Sequence, residues 1–176
     1  MHRLGIRRLV VVGVPPLGCM PVVRTITNQI TTCSTTFNRA AYAFNAKIKL
    51  KLAAMEANLG LLTSFVDAYA IVQDAVDNPT AYGTQTILNF CVPFQFLYGL
   101  KLEGVCVFGN VGTGLRETAK GCCGTGLVEF GETCKGSTTC SDPQSYVFWD
   151  AVHPSQNMYK ILAAKAIQSV AQDILS

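Results

Sequence analysis

Residues 9 to 14 read LVVVGV, an unbroken apolar and β-branched run that Pro15 and Pro16 bring to an end. A strand with no polar face belongs in the middle of a parallel sheet covered on both sides, so the run predicts an α/β fold. From Cys33 to Asn58 the apolar positions follow helical spacing: Phe37, Ala41, Phe44, Ile48, Leu52, Met55 and, just beyond, Leu59 draw one stripe. Ser34 or Thr35 is placed to cap the start of this helix and Gly60 to end it. Leu61 to Val66 predicts a second strand running into Asp67, and Tyr69 to Val76 a short helix stopped by Asn78 and Pro79. The order is strand, helix, strand, helix.

Periodicity then fails. From Thr84 to Leu115 neither a period of two nor one of 3.6 is sustained, and the stretch holds Pro93, five glycines and two charges, Lys101 and Glu103. Gly121 to Pro143 is a Gly- and Cys-rich loop with too few apolar residues to order itself against chain entropy. Tyr146 to Trp149 is a short apolar run, and from Pro154 a last helix turns Met158, Ile161, Leu162 and Val170 inward. Proline suits a first helical turn, where its missing N–H costs nothing.

Composition agrees with a packed domain. Of 176 residues, 49% are hydrophobic and 14% charged, against a usual charged share of about 25%. The net charge is +3 and, apart from Arg3, Arg7, Arg8 and the run Lys47, Lys49, Lys51, the basic residues are scattered, which excludes the dense stripe of a nucleic-acid binder. The most apolar windows, 9 to 17 and 87 to 100, fall short of the roughly 20 apolar residues of a membrane span. No secretory signal is expected at the start, because the arginines lead straight into the first strand.

Eight cysteines point to an oxidising compartment. Cys122, Cys123, Cys134 and Cys140 have the spacing C-C-x10-C-x5-C, without the C-x2-4-C knuckle of zinc sites and with His153 as the one nearby histidine, so disulfides are expected rather than a metal. Four cysteines allow three pairings. Cys19 and Cys33 flank the connection from first strand to long helix and are expected to form a further bridge.

The candidate chemistry lies in FWDAVHP, 148 to 154. A carboxylate three residues before a histidine can accept the Nδ1–H of the imidazole and leave Nε2 to take a proton. In the blander reading Asp150 caps the last helix and His153 is an ordinary loop histidine. Phe148 and Trp149 are core residues or the lining of an acyl pocket. Asp67, Asp74 and Asp77 have no histidine to complete a metal site and read as a solvated face. Cys122 or Cys123 would make a thiol nucleophile only if it stood outside the disulfides.

Four stretches, GVPPLGCMPVVRT at 13 to 25, DNPTAYG at 77 to 83, GCCGTGLVEFGETC at 121 to 134 and CSDPQSYVFWDAVHPS at 140 to 155, resemble in sequence and order the plant GDSL-type esterase/lipases of the SGNH hydrolase group. The resemblance implies a three-layer α/β/α flavodoxin-like fold and a serine ester hydrolase acting on small-molecule or lipid esters, without metal or organic cofactor and secreted in its full-length form. It implies Asp150 as the orienting acid and His153 as the general base of a Ser-His-Asp triad.

The same resemblance puts the nucleophilic serine in a G-D-S-L-like motif, and the oxyanion-hole glycine and asparagine, upstream of the first strand here. Neither Gly136-Ser137 nor Gly109-Asn110 substitutes for them. Residues 1 to 176 are therefore expected to form the C-terminal part of one such domain. The strands matching 9 to 14 and 61 to 66 are the fourth and fifth of the family's sheet, so one edge of the first is expected to lie bare. Residues 86 to 114 are an atypical insertion, from a mis-drawn gene or, in a sharper reading, a substrate lid. The rival to an enzyme is a non-catalytic secreted or binding remnant of the same fold.

Overall fold

The computed structural model describes residues 2–82, 86–92, 105–110 and 114–174. Strand β1, Arg8–Val12, pairs in parallel with β2, Leu62–Val66, in a register that sets Val10 beside Ser64. Parallel neighbours cannot be joined by a tight turn. The chain crosses between them through a short helix α1, Pro21–Ile26, and the long helix α2, Thr35–Leu59. Gly60, at φ 61°, ends α2 in the left-handed conformation the sequence leads one to expect there.

Adjacent residues of a strand face opposite sides, and β2 uses both. Thr63 Oγ1 donates to Glu56 Oε1 on α2 at 2.6 Å, whereas Ser64 Oγ donates to Asp173 Oδ2 at 2.7 Å on the last helix, α4, Gln156–Ile174. The sheet thus lies between α2 and α4, the three layers of an α/β/α fold. Helix α3, Ala68–Asp77, follows β2 directly, with Asp67 as its N-cap accepting from the Ala70 N–H at 3.0 Å. The main core joins Cys19 to Val72 and Ala75 of α3, Leu115, Val147 and Phe148, and Met158 and Ile161 of α4. Leu162 and Val170 are half-buried.

Three local expectations need correction. The stripe that α2 buries is Ala41, Asn45 and Leu52, with Ile48 half-buried, while Phe37, Phe44, Met55 and Leu59 are exposed. Asn45 is drawn inward because its amide both accepts from Val14 N–H and donates to Val14 C=O, each at 2.8 Å, closing the chain where β1 ends. Strand β1 is not a buried central strand: β2 is its one partner among the described residues, and Val10 and Val12 are 44% and 62% exposed. Its other edge has no strand partner among the described residues. Pro154 lies outside α4 and forms an isolated bridge with Phe148.

The stretch without periodicity contains strands β3, Thr86–Val92, and β4, Val105–Asn110, paired antiparallel; its other residues from 93 to 113 lie outside the described residues. Beyond it, β5, Glu117–Gly121, pairs in parallel with β6, Tyr146–Phe148. No described helix is long and apolar enough to cross a membrane.

Cys19 and Cys33 are bridged, as expected, across a sequence separation of 14. A closed loop of that size contributes about 3 kcal/mol in the chain-entropy account. Replacing both cysteines with serine is expected to lower the unfolding free energy by about that amount in denaturant titrations of the oxidised protein; a loss under about 1 kcal/mol would show that the hydrogen bond from Gly18 N–H to Asn38 Oδ1, 2.7 Å long, holds this corner without the bridge.

Candidate active site

Strand β6 is short and buried, and the chain leaving it must turn back at once to start α4. The turn is closed at three levels: Trp149 N–H donates to His153 C=O at 2.8 Å, Phe148 bridges Pro154, and Ser155 N–H donates to Val147 C=O at 2.9 Å. Ser155 then caps α4, its Oγ accepting from the Met158 N–H at 3.1 Å. This disposes of Asp150 as the cap of the helix, because that position is filled five residues later by a side chain that is 1% exposed. The sequence offered the signal, a serine three residues before the first buried apolar position of the helix.

Asp150 instead points into the turn. Its Oδ1 accepts the N–H of Val152 at 2.8 Å and of His153 at 2.6 Å, and its Oδ2 accepts the N–H of Gly131 at 3.2 Å. The imidazole Nδ1 of His153 lies 2.8 Å from Oδ2 and 3.1 Å from Oδ1. Burial pushes the Asp150 carboxyl upward. The hydrogen bonds from the His153 backbone and ring and from the Val152 and Gly131 N–H groups outweigh it, so its pKa lies below the ordinary carboxylate value. The carboxylate is therefore ionised and fixed. Its side chain is 3% exposed against 53% for His153, so the pair has a dry end and a wet end. An imidazole that donates its Nδ1–H to such a carboxylate has its acceptor lone pair on Nε2.

A Gly- and Cys-rich loop forms the wall behind Asp150. Cys122 is bridged to Cys140 and Cys123 to Cys134, one of the three pairings open from sequence. Both adjacent N–H groups, of Cys122 and Cys123, donate to Trp149 C=O at 2.9 Å, and Ala151 N–H donates to Glu129 C=O at 2.8 Å. Gly121 touches Asp150 so closely that a Cβ there would come within 2.6 Å of the Asp150 carbonyl carbon. Sequence reasoning missed the part Gly131 plays, since nothing local marks a donor 19 residues from its acceptor.

The other candidates separate from this site. Cys122 and Cys123 are in disulfides and carry no thiolate. Ser137 Oγ donates to Thr133 C=O within its own loop. Phe148 is a core residue at 2% exposure, while Trp149 is 37% exposed beside the turn. Asp67, Asp74 and Asp77 line a cleft of about 380 Å³ between α2 and α3 together with Tyr42 and Tyr69. They are bound to neighbours rather than to solvent alone: Asp67 to Lys49, Asp74 to Tyr82 and Asn78, and Asp77 to Gln73.

Comparison with known proteins agrees with this architecture. The profile of the GDSL-like lipase/acylhydrolase family matches residues 1–166. The GDSL esterase/lipase At5g45950 of Arabidopsis thaliana is 42% identical over 99% of this chain and 40% of its own length. Two further Arabidopsis thaliana proteins, the GDSL esterase/lipase EXL3 and the anther-specific proline-rich protein APG, are 30% and 33% identical over 95% and 92% of this chain, and over 38% and 25% of their own. The chain thus spans about two fifths of the length of the first two relatives and a quarter of the third. With an α/β/α core and a profile match from its first residue to the middle of its last helix, this chain belongs to the GDSL-like lipase/acylhydrolase family.

Proposed function

We propose that Asp150 and His153 are the acid and base of a serine ester hydrolase whose nucleophile stands on a G-D-S-L-bearing segment outside these 176 residues. The observation that carries this reading is the 2.8 Å contact between His153 Nδ1 and Asp150 Oδ2, with the carboxylate buried and the far side of the ring open.

In this reading the serine Oγ attacks the carbonyl carbon of a carboxylic or lipid ester while Nε2 of His153 takes its proton. The tetrahedral intermediate collapses as the same nitrogen returns that proton to the departing alcohol, and water repeats the cycle on the acyl-enzyme. Asp150 holds the tautomer and faces the imidazolium that forms, without itself changing protonation. Acyl transfer of this kind needs no metal or organic cofactor. Three disulfides in the described part of a small domain support secretion of the working protein.

The test joins this chain to a family segment that carries the serine and the oxyanion-hole glycine and asparagine, and follows hydrolysis of a short-chain nitrophenyl ester. His153→Ala is expected to lower kcat by at least about 10³, and Asp150→Asn by on the order of 10⁴, through loss of the correct tautomer. Gln156→Ala, on the exposed start of α4, should change it less than about twofold. If the joined protein turns over and His153→Ala leaves it unaffected, the assignment is wrong. If it never turns over although folded, the non-catalytic reading stands.

A second expectation concerns acid stability. The pKa of Asp150 is depressed in the folded state, so its contribution is complete above the unfolded value of about 3.9 and is lost as pH falls through the lower folded value. Thermal melts between pH 5 and pH 2 are expected to show a component of acid destabilisation that is missing from Asp150→Asn; parallel curves for the two proteins would contradict it.

A further inference from the structure

The donors that hold Asp150 differ in origin. Val152 N–H, His153 N–H and the His153 ring all belong to residues 150 to 153, so they arrive with the turn itself. The Gly131 N–H does not. It comes from a loop 19 residues away and meets Oδ2, the oxygen nearer the imidazole, whereas the two local backbone donors both fall on Oδ1. The two local backbone donors hold only Oδ1, and the one local group on Oδ2 is the imidazole, the ring whose orientation the carboxylate has to set. The Gly131 N–H is the one backbone donor on Oδ2, and it steadies that oxygen independently of the ring.

Gly131 has little of its own to hold it in place. It opens a single turn of 3-10 helix, Gly131–Cys134, none of whose residues is buried. What ties this turn down is its last residue: Cys134 is bridged to Cys123, and the Cys123 N–H donates to the carbonyl of Trp149, the residue before Asp150. The connections form a closed ring, from the Asp150 carboxylate to Gly131, through the turn to Cys134, across the disulfide to Cys123 and back to the backbone beside Asp150. On the near side of Gly131, the Glu129 carbonyl accepts from Ala151 N–H, so the loop grips the chain before and after the carboxylate.

We propose that Gly131 is a positioning residue for the Asp150–His153 pair, and that the Cys123–Cys134 bridge is what keeps it in register. The inference rests on the reading of Asp150 as the orienting acid, but the measurement that tests it does not require turnover. In NMR spectra of the 176-residue chain, the Gly131 amide proton is expected to shift with the protonation of Asp150 followed at its carboxyl carbon, and the His153 Nδ1–H to give a downfield, slowly exchanging signal. In Cys123→Ser/Cys134→Ser, which keeps the Cys19–Cys33 and Cys122–Cys140 bridges, the Asp150 carboxyl should titrate closer to the ordinary carboxylate value and the Nδ1–H signal should broaden or vanish. Lys135→Ala, in the same loop but removing only the exposed pair with Glu132, should leave both as they were.

In the joined enzyme the bridge variant is expected to lose about tenfold to a hundredfold in kcat with KM within about twofold, since orientation rather than binding is altered. A folded bridge variant with an unchanged Asp150 titration and an unchanged Nδ1–H signal overturns the proposal. Should that variant fail to fold, the wild-type titration decides: a Gly131 amide that ignores the ionisation of Asp150 overturns it as well. The two readings fail separately. Coupling without any effect of His153→Ala on turnover would remove the catalytic assignment alone, and a large effect of His153→Ala without coupling would remove only the clamp.

Discussion

The parallel pairing of Arg8–Val12 with Leu62–Val66 is the constraint from which the remaining architecture follows. It demands a crossover, which α2 provides, and it sets Thr63 and Ser64 against different layers, so that α4 must come to rest on the face opposite α2. Helix α4 is tied to the sheet near its C-terminal end by Asp173. Its first turn stands about 25 Å along the helix from that tie at 1.5 Å per residue. The Asp150–His153 turn sits at that far end. The site is thus held by a rod whose other end is pinned to the sheet, and the loops around it need only adjust its last few ångströms.

At the site itself, burial and hydrogen bonding act in opposite directions on one carboxylate. Taking Asp150 out of water favours its neutral form, and an unpaired buried charge would be costly. Several N–H groups directed at its two oxygens reverse the balance and keep it ionised. The histidine experiences the opposite environment, with one nitrogen committed and the ring half in water. In the proposed reading it is this asymmetry that would separate an orienting acid from a working base, although the two residues stand only three apart in the chain.

Much of this could be read from the residues. The apolar run at 9 to 14, the Gly60 stop and the short helix after Asp67 were legible because each rests on local rules of period and capping. The buried stripe of α2 was not, since Asn45 is inside for a hydrogen-bonding reason that hydrophobic spacing ignores. Pro154 was misplaced by two residues because the bridge to Phe148, a pairing across the turn, prevailed over the preference of proline for a helix start. The pairing of Asp150 with His153 was visible in their spacing, and the weight given to it came from the resemblance to a family. The contribution of Gly131 was invisible, because loop-to-loop contacts of this separation leave no periodic trace in a sequence.

The adjacent cysteines carry a consequence for how the protein is made. Exchanging partners, so that Cys122 joins Cys134 and Cys123 joins Cys140, changes each closed loop by a single residue from the native separations of 18 and 11. Loop-closure entropy then distinguishes the two arrangements by less than about 0.1 kcal/mol. Oxidation of the unfolded chain has no means of choosing between them. Selection falls to contacts that exist only after folding, such as Cys140 N–H on the carbonyl of Cys122 and Gly124 N–H on that of Thr138. The native pairing of this loop is therefore selected by reshuffling, with the folded turn around Asp150 as the template.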